Sequence, residues 1–145
     1  MRAALGQGAA RDRWAAVAQE RLAAVIEAAG ALRKGLEAAL GGQAGPPGEV
    51  PDAVVASCAE LSRWLAASKA PSGLGRAEGE LRAAVGTYRN AAYAFRTLTD
   101  AADDVWRARA AACATMLDQG DHHVESFRAV LARTRGCGRP RTRPA

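Results

Sequence analysis

The sequence predicts an all-α protein, an antiparallel bundle of three to four long alanine-rich helices with a basic C-terminal tail. Three observations support this. Alanine fills about a quarter of the positions, and with Leu, Glu and Arg it makes up long stretches of the strongest helix formers. Gly and Pro gather in three places, as GGQAGPPG at 41–48, APSGLG at 70–75 and RGCGRPRTRPA at 135–145, which reads as two loops and a tail. β-Branched residues never run in the period-two alternation of a strand. The 145 residues allow one domain plus a tail. The expected organisation is a disordered N-terminus over 1–8, a helical bundle over 9–132 and a flexible Arg-rich tail over 133–145.

The first helix is expected from about Ala9 to Leu40, because Trp14, Leu22, Val25, Ala29, Leu32 and Leu36 recur at spacings that place them on one stripe. Gly30 and Gly35 weaken it by up to ~1 kcal/mol each and suggest a close helix crossing. The second helix opens with Pro51 in its first turn and Asp52 near the positive end of the helix dipole. Its stripe is Val54, Cys58, Leu61, Leu65 and Ser68, and Pro71 stops it. The third begins near Leu74 and carries Leu81, Val85, Tyr88, Ala92 and Phe95, an alternation that continues as Leu98, Ala102, Val105, Ala112 and Met116.

Whether the chain turns inside that last stretch is open on local sequence. Thr99 or Asp100 suits an N-cap with Asp103 and Asp104 in the following first turn, yet no Gly or Pro interrupts the chain between Thr87 and Gln119. Lengths favour the turn. A second helix of about twenty residues spans about 30 Å, so a third helix from Leu74 has run past it by about Phe95. Without a turn, the apolar residues Val105, Trp106, Met116, Phe127, Val130 and Leu131 overhang and require a dimer or partner to cover them. With a turn, a fourth helix returns beside the first and an up-down-up-down bundle results. Gly120 is a second ambiguous point, either a helix end capped anew by Asp121 or a tolerated glycine.

The net charge of +5 is not spread evenly. Arg133, Arg135, Arg139, Arg141 and Arg143 lie in the tail without an acid, and the fifteen basic residues that remain in 1–132 match the fifteen acids there. Such an arm suits non-specific phosphate contacts, and the absence of interleaved aromatic residues leaves it no stacking platform. All but two of the twenty basic residues are Arg, which with the alanine excess matches a GC-rich coding bias.

Cys58, Cys113 and Cys137 form no C-x-x-C pair and are odd in number, so a reducing, cytoplasmic setting is expected. Cys58 and Cys113 fall on apolar stripes and read as inert thiols, whereas Cys137, between glycines in the Arg-rich tail, should react with thiol reagents. Charged residues interrupt every apolar stretch, so no membrane span is expected. Arg11, Asp12 and Arg13 cut off any apolar core of signal-peptide length. Export without a cleaved signal stays open.

Phosphate-loop, dinucleotide and serine-elbow motifs are absent, and no enzymatic activity or cofactor is expected. The place most suited to chemistry is Asp118, Asp121, His122, His123 and Glu125. On a helix Asp118, His122 and Glu125 share a face, the weak candidate for a metal site. The alternative is a solvated face where Asp118 and Glu125 support His122 and where His123 packs toward Phe127. Di-iron bundles require Glu-x-x-His on two helices, which does not occur. Trp14, Trp64 and Trp106, one per long segment, read as core anchors. The helical-hairpin proteins of type VII secretion share the alanine-rich composition, but their W-x-G turn is replaced here by Ala16, Ala66 and Ala108 at the third position, and Ala92 and Thr97 stand where their Y-x-x-x-[DE] needs an acid. Two functional expectations remain: a non-enzymatic bundle acting through protein–protein interaction, with itself or a partner, and a nucleic-acid-associated bundle using the basic arm.

Overall fold

The computed structural model describes residues 2–42, 49–100 and 103–136. Four helices follow one another: α1 (Arg2–Leu40), α2 (Glu49–Ala67), α3 (Gly75–Arg96) and α4 (Asp103–Gly136), with a 3₁₀ turn over Thr97–Asp100 between the last two. No strand occurs among the described residues. Each helix packs on the next along the chain, the seam between α3 and α4 is the most extensive, and α4 returns to touch α1 along a shorter one. The result is the four-helix bundle, and the chain does turn after Phe95.

The helix ends follow local chemistry. Glu49 and Asp52 occupy the first turn of α2 and complement its dipole. Leu74 caps α3 with backbone alone, and Gly73 ahead of it has φ +89°, a left-handed conformation that glycine adopts without strain. The α1 start differs from expectation: residues 2–8, read as disordered, are helical, since Arg2, Ala3, Ala4 and Leu5 favour helix and Gly6 and Gly8 reduce propensity without blocking it. At the other end α4 runs to Gly136, so Arg133 and Arg135 belong to a helix rather than to the tail. Arg139, Arg141 and Arg143 lie outside the described residues, as does Cys137.

The stripes of the first three helices are as the spacing predicts, except that Ser68, expected to end the α2 stripe, lies just past the helix and is half-buried. Trp14, Leu22, Val25, Ala29, Leu32 and Leu36 of α1, Val54, Cys58, Leu61 and Leu65 of α2, and Leu81, Val85, Tyr88, Ala92 and Phe95 of α3 are all buried in one cluster. Each large apolar side chain among them contributes ~1.5–3 kcal/mol on burial. Gly30 is exposed with open space around it, so the expected close crossing does not occur there.

The α4 stripe departs from expectation. Val105 is 39% exposed, Ala112 is exposed and Met116 is half-buried, while Ala110, Cys113, Leu117, Gly120, Val124, Phe127 and Leu131 face the core. A 3₁₀ turn winds at about 3.0 residues per turn against 3.6 for an α-helix, so the phase of α3 is not carried through it. α4 begins again with its own register, one residue later than a continuous helix would have.

Candidate functional site

A group of polar side chains gathers between helices around the middle of α4. Asp118 and Asp121, one turn apart on α4, both face Arg33 of α1. Arg33 donates from Nη1 to Asp118 Oδ1 at 3.0 Å and from Nη2 to Asp121 Oδ2 at 2.7 Å. The other carboxylate oxygen of Asp121, Oδ1, accepts a hydrogen bond of 2.6 Å from the Tyr88 hydroxyl. Tyr88 is on the buried stripe of α3, and its ring is 1% exposed. Three helices are therefore joined through one carboxylate.

The geometry explains the glycine next to it. A Cβ on Gly120 would fall 2.5 Å from Tyr88 Cε1, well inside van der Waals contact. α4 runs straight through Gly120, which is neither a helix end nor a merely tolerated residue, because the tyrosine ring occupies the space of its missing side chain. That close approach places the hydroxyl at Asp121.

Electrostatics reinforce the arrangement. Burial, and then the hydrogen bond and the charge of Asp121, push the Tyr88 hydroxyl far above its usual range, so it stays protonated and acts as a donor. For Arg33 burial alone would lower the pKa, but the two carboxylates outweigh it and raise it. Both Arg33 contacts are partly exposed to solvent, so each ion pair is worth at most ~1 kcal/mol, whereas the bond from the buried Tyr88 to the half-exposed carboxylate is worth up to ~1.5–3 kcal/mol.

The weak metal candidates are not brought together. Asp118 is turned to Arg33, while His122 and Glu125 are exposed, and no group of three metal-ligating side chains converges among the described residues. His123 departs from the expected packing toward Phe127: its Nδ1 lies 2.8 Å from Glu80 Oε2 of α3, a second polar tie across the same seam. Sequence reading missed Arg33, Tyr88 and Glu80. Tyr88 held the usable signal, since a tyrosine on a fully apolar stripe brings a hydroxyl that must find a partner.

Cys58 and Cys113 are buried, and burial pushes both thiols up to about 11, which disfavours the thiolate. Cys113 Sγ lies 3.4 Å from the Ala91 carbonyl. Trp14 is buried and its ring is 5.5 Å from that of Trp64, which is half-buried with Arg21 over its outer face. Trp106 is also half-buried, so one of the three tryptophans is fully a core residue. Trp14 Nε1 is buried without a hydrogen-bond partner, at a cost of ~1–3 kcal/mol. Beside this pair, Val17, Glu20 and Ala24 of α1 and Ser57, Glu60 and Leu61 of α2 line an open groove of about 400 Å³ with mixed polar and apolar walls.

Of the basic arm, Arg133 is exposed on the last turns of α4. No helix among the described residues is long and apolar enough to cross a membrane. Comparison with protein families, curated proteins and solved structures yields no significant match.

Proposed function

We propose that the protein is a non-enzymatic helical bundle that acts by binding a protein partner. Of the side chains the sequence singles out for chemistry, Asp118 and Asp121 are committed to Arg33 and Tyr88, His123 to Glu80 and both described thiols to the core, while His122 and Glu125 stand exposed. The observation that supports binding is where large apolar side chains reach the surface. Leu40, Tyr93 and Val105 are 55%, 44% and 39% exposed. Leu40 ends α1, Tyr93 is on the last turn of α3 and Val105 on the first turn of α4, and the ion pair of Asp52 with Arg96 places the start of α2 at this same end of the bundle. Half-buried Trp106 adjoins Val105. An apolar end of this kind is the surface on which a partner helix gains most by docking.

The test is affinity capture from the native host with wild-type protein and a Tyr93→Ser, Val105→Ser variant of equal thermal stability. A partner retained by the wild type and lost by the variant supports the reading. Equal retention by both places the interaction elsewhere, and no stoichiometric partner argues against it.

A further inference from the structure

We infer that the opposite end of the bundle is a binding surface for the phosphates of duplex nucleic acid, built from the folded helices rather than confined to the C-terminal arm. Residues 1–132 are neutral in sum, but folding sorts their charges. The 68–74 connection marks this end. Lys69 lies in it, Arg76 is in the first turn of α3, and Arg11 of α1 donates from Nε to the Ser72 carbonyl at 2.8 Å.

α4 brings its last turns to the same place. Across the α3–α4 seam Thr97 O meets Arg109, Ala91 O meets Cys113 and Glu80 meets His123, an antiparallel register that continues to set Arg128 and Arg133 beside the start of α3 and the 68–74 connection. Lys69, Arg76, Arg128 and Arg133 are exposed, as is Arg13 near Arg11, and none of them forms an ion pair among the described residues. The acids nearby are Asp12, Glu125, Glu78 and Glu80, of which Glu78 is held by Arg82 and Glu80 by His123. The arm with Arg139, Arg141 and Arg143 follows directly in sequence from α4.

The character of the surface selects its partner. Its charges come mostly from arginine, which matches phosphate geometry with a planar fork of donors. They project from three helices and a loop, and neighbouring helix axes are about 8–10 Å apart, so the cations are spread over an area rather than focused on one small anion. Among the residues of this end whose side-chain exposure is described, no large hydrophobic one is exposed, so they offer neither an aromatic stacking platform for unpaired bases nor an apolar wedge for a lipid bilayer. What remains is a salt-sensitive, sequence-independent contact with a regular phosphate array. This inference is independent of the protein-binding reading, which concerns the other end.

The test uses the full chain and a short fluorescent DNA duplex, titrated at several salt concentrations. Lys69, Arg76 and Arg133 are replaced together by Gln, leaving Arg11 to hold the loop. A control of the same charge change replaces Lys34, Arg89 and Arg107, which are exposed elsewhere. At low salt the first variant is expected to bind roughly tenfold more weakly or worse, with a salt dependence shallower by about two to three phosphate contacts, and the control within about twofold of wild type. The same loss should appear when Arg139, Arg141 and Arg143 are already Gln. Equal weakening in both triple variants would reduce the effect to net charge. Wild-type affinity in the Lys69, Arg76, Arg133 variant would assign any binding to the arm alone. Binding to phosphatidylserine vesicles without binding to duplex would replace the proposed partner with a membrane surface. Each of these three results overturns the inference, as does the absence of duplex binding at low salt.

Discussion

Gly120→Ala is expected to destabilise the protein by about 1–4 kcal/mol, although the same change inside an exposed helix would stabilise it by up to ~1 kcal/mol. The new methyl would sit 2.5, 2.7 and 2.9 Å from Cε1, Cδ1 and Cζ of Tyr88, where carbon atoms prefer about 3.5–4.0 Å. The ring must therefore retreat by about 1 Å or more. It is 1% exposed, and its hydroxyl is tied to Asp121 at 2.6 Å, so a retreat strains the core and stretches the hydrogen bond together. Overpacking costs ~1–3 kcal/mol and loss of the bond to the carboxylate ~1.5–3 kcal/mol, against which the helix-propensity gain is the smaller quantity. At roughly 3 °C per kcal/mol for a chain of this size, the melting temperature should fall by about 3–12 °C. Urea and thermal unfolding followed by far-UV circular dichroism measure this. A double-mutant cycle isolates the cause: in a Tyr88→Leu background, Gly120→Ala should be neutral or stabilising. If Gly120→Ala raises the stability of the wild type, or has the same effect in both backgrounds, the ring does not fill the space beside Gly120 and the reasoning fails.

The carboxylates at the same site should separate by their partners. Asp121→Ala, which strands the buried Tyr88 hydroxyl, is expected to cost ~1–3 kcal/mol, while Asp118→Ala and His122→Ala stay within ~1 kcal/mol of wild type in urea unfolding. Equal costs for the two aspartates would show that Tyr88 does not depend on Asp121. Stability should decline in alkali: the folded chain keeps the protons of Cys58 and Cys113 up to about 11, whereas the unfolded chain releases them from about 9, so folding loses free energy as pH rises through that interval, with Tyr88 adding to the loss above about 10. Urea midpoints measured across this range should fall less steeply in a Cys58→Ala, Cys113→Ala variant, and an unchanged slope would mean that the thiols are not buried. Because α4 covers its own stripe, light scattering and small-angle scattering should report a compact, predominantly helical monomer, and an elongated dimer would contradict the turn at Thr97–Asp100.

Much of the fold was legible because three helices obey a single period. The stripes from Trp14 to Leu36, Val54 to Leu65 and Leu81 to Phe95 required only spacing, and all lie in the core. The turn was reached by comparing lengths, since Thr97, Leu98 and Thr99 contain no breaker and a straight helix satisfies local preference equally well. The phase of α4 was not legible, because a 3₁₀ turn leaves no residue signature of how far it rotates the chain. The candidate site was read from its acids and histidines, which was half of it. Arg33 and Tyr88 come from helices 85 and 33 positions away, and only the tilt and register of packed helices reveal which residues meet. The sum of charges over 1–132 concealed their separation for the same reason: composition has no coordinates.

The turn between α3 and α4 contains no residue that forbids a straight helix. The hairpin is thus held closed by what α4 packs against rather than by the connection itself. In an opened chain the same α4 face, from Ala110 to Leu131, would fit the α3 of a second copy as well as its own. The choice between the two is then a matter of effective concentration. Within one chain the tethered α4 meets α3 at an effective concentration on the order of millimolar, far above ordinary protein concentrations, so the closed form prevails in dilute solution. Exchange of α4 between copies is a property of crowded or partly unfolded samples, and its products would keep every interhelical contact of the monomer while doubling the molecule's length.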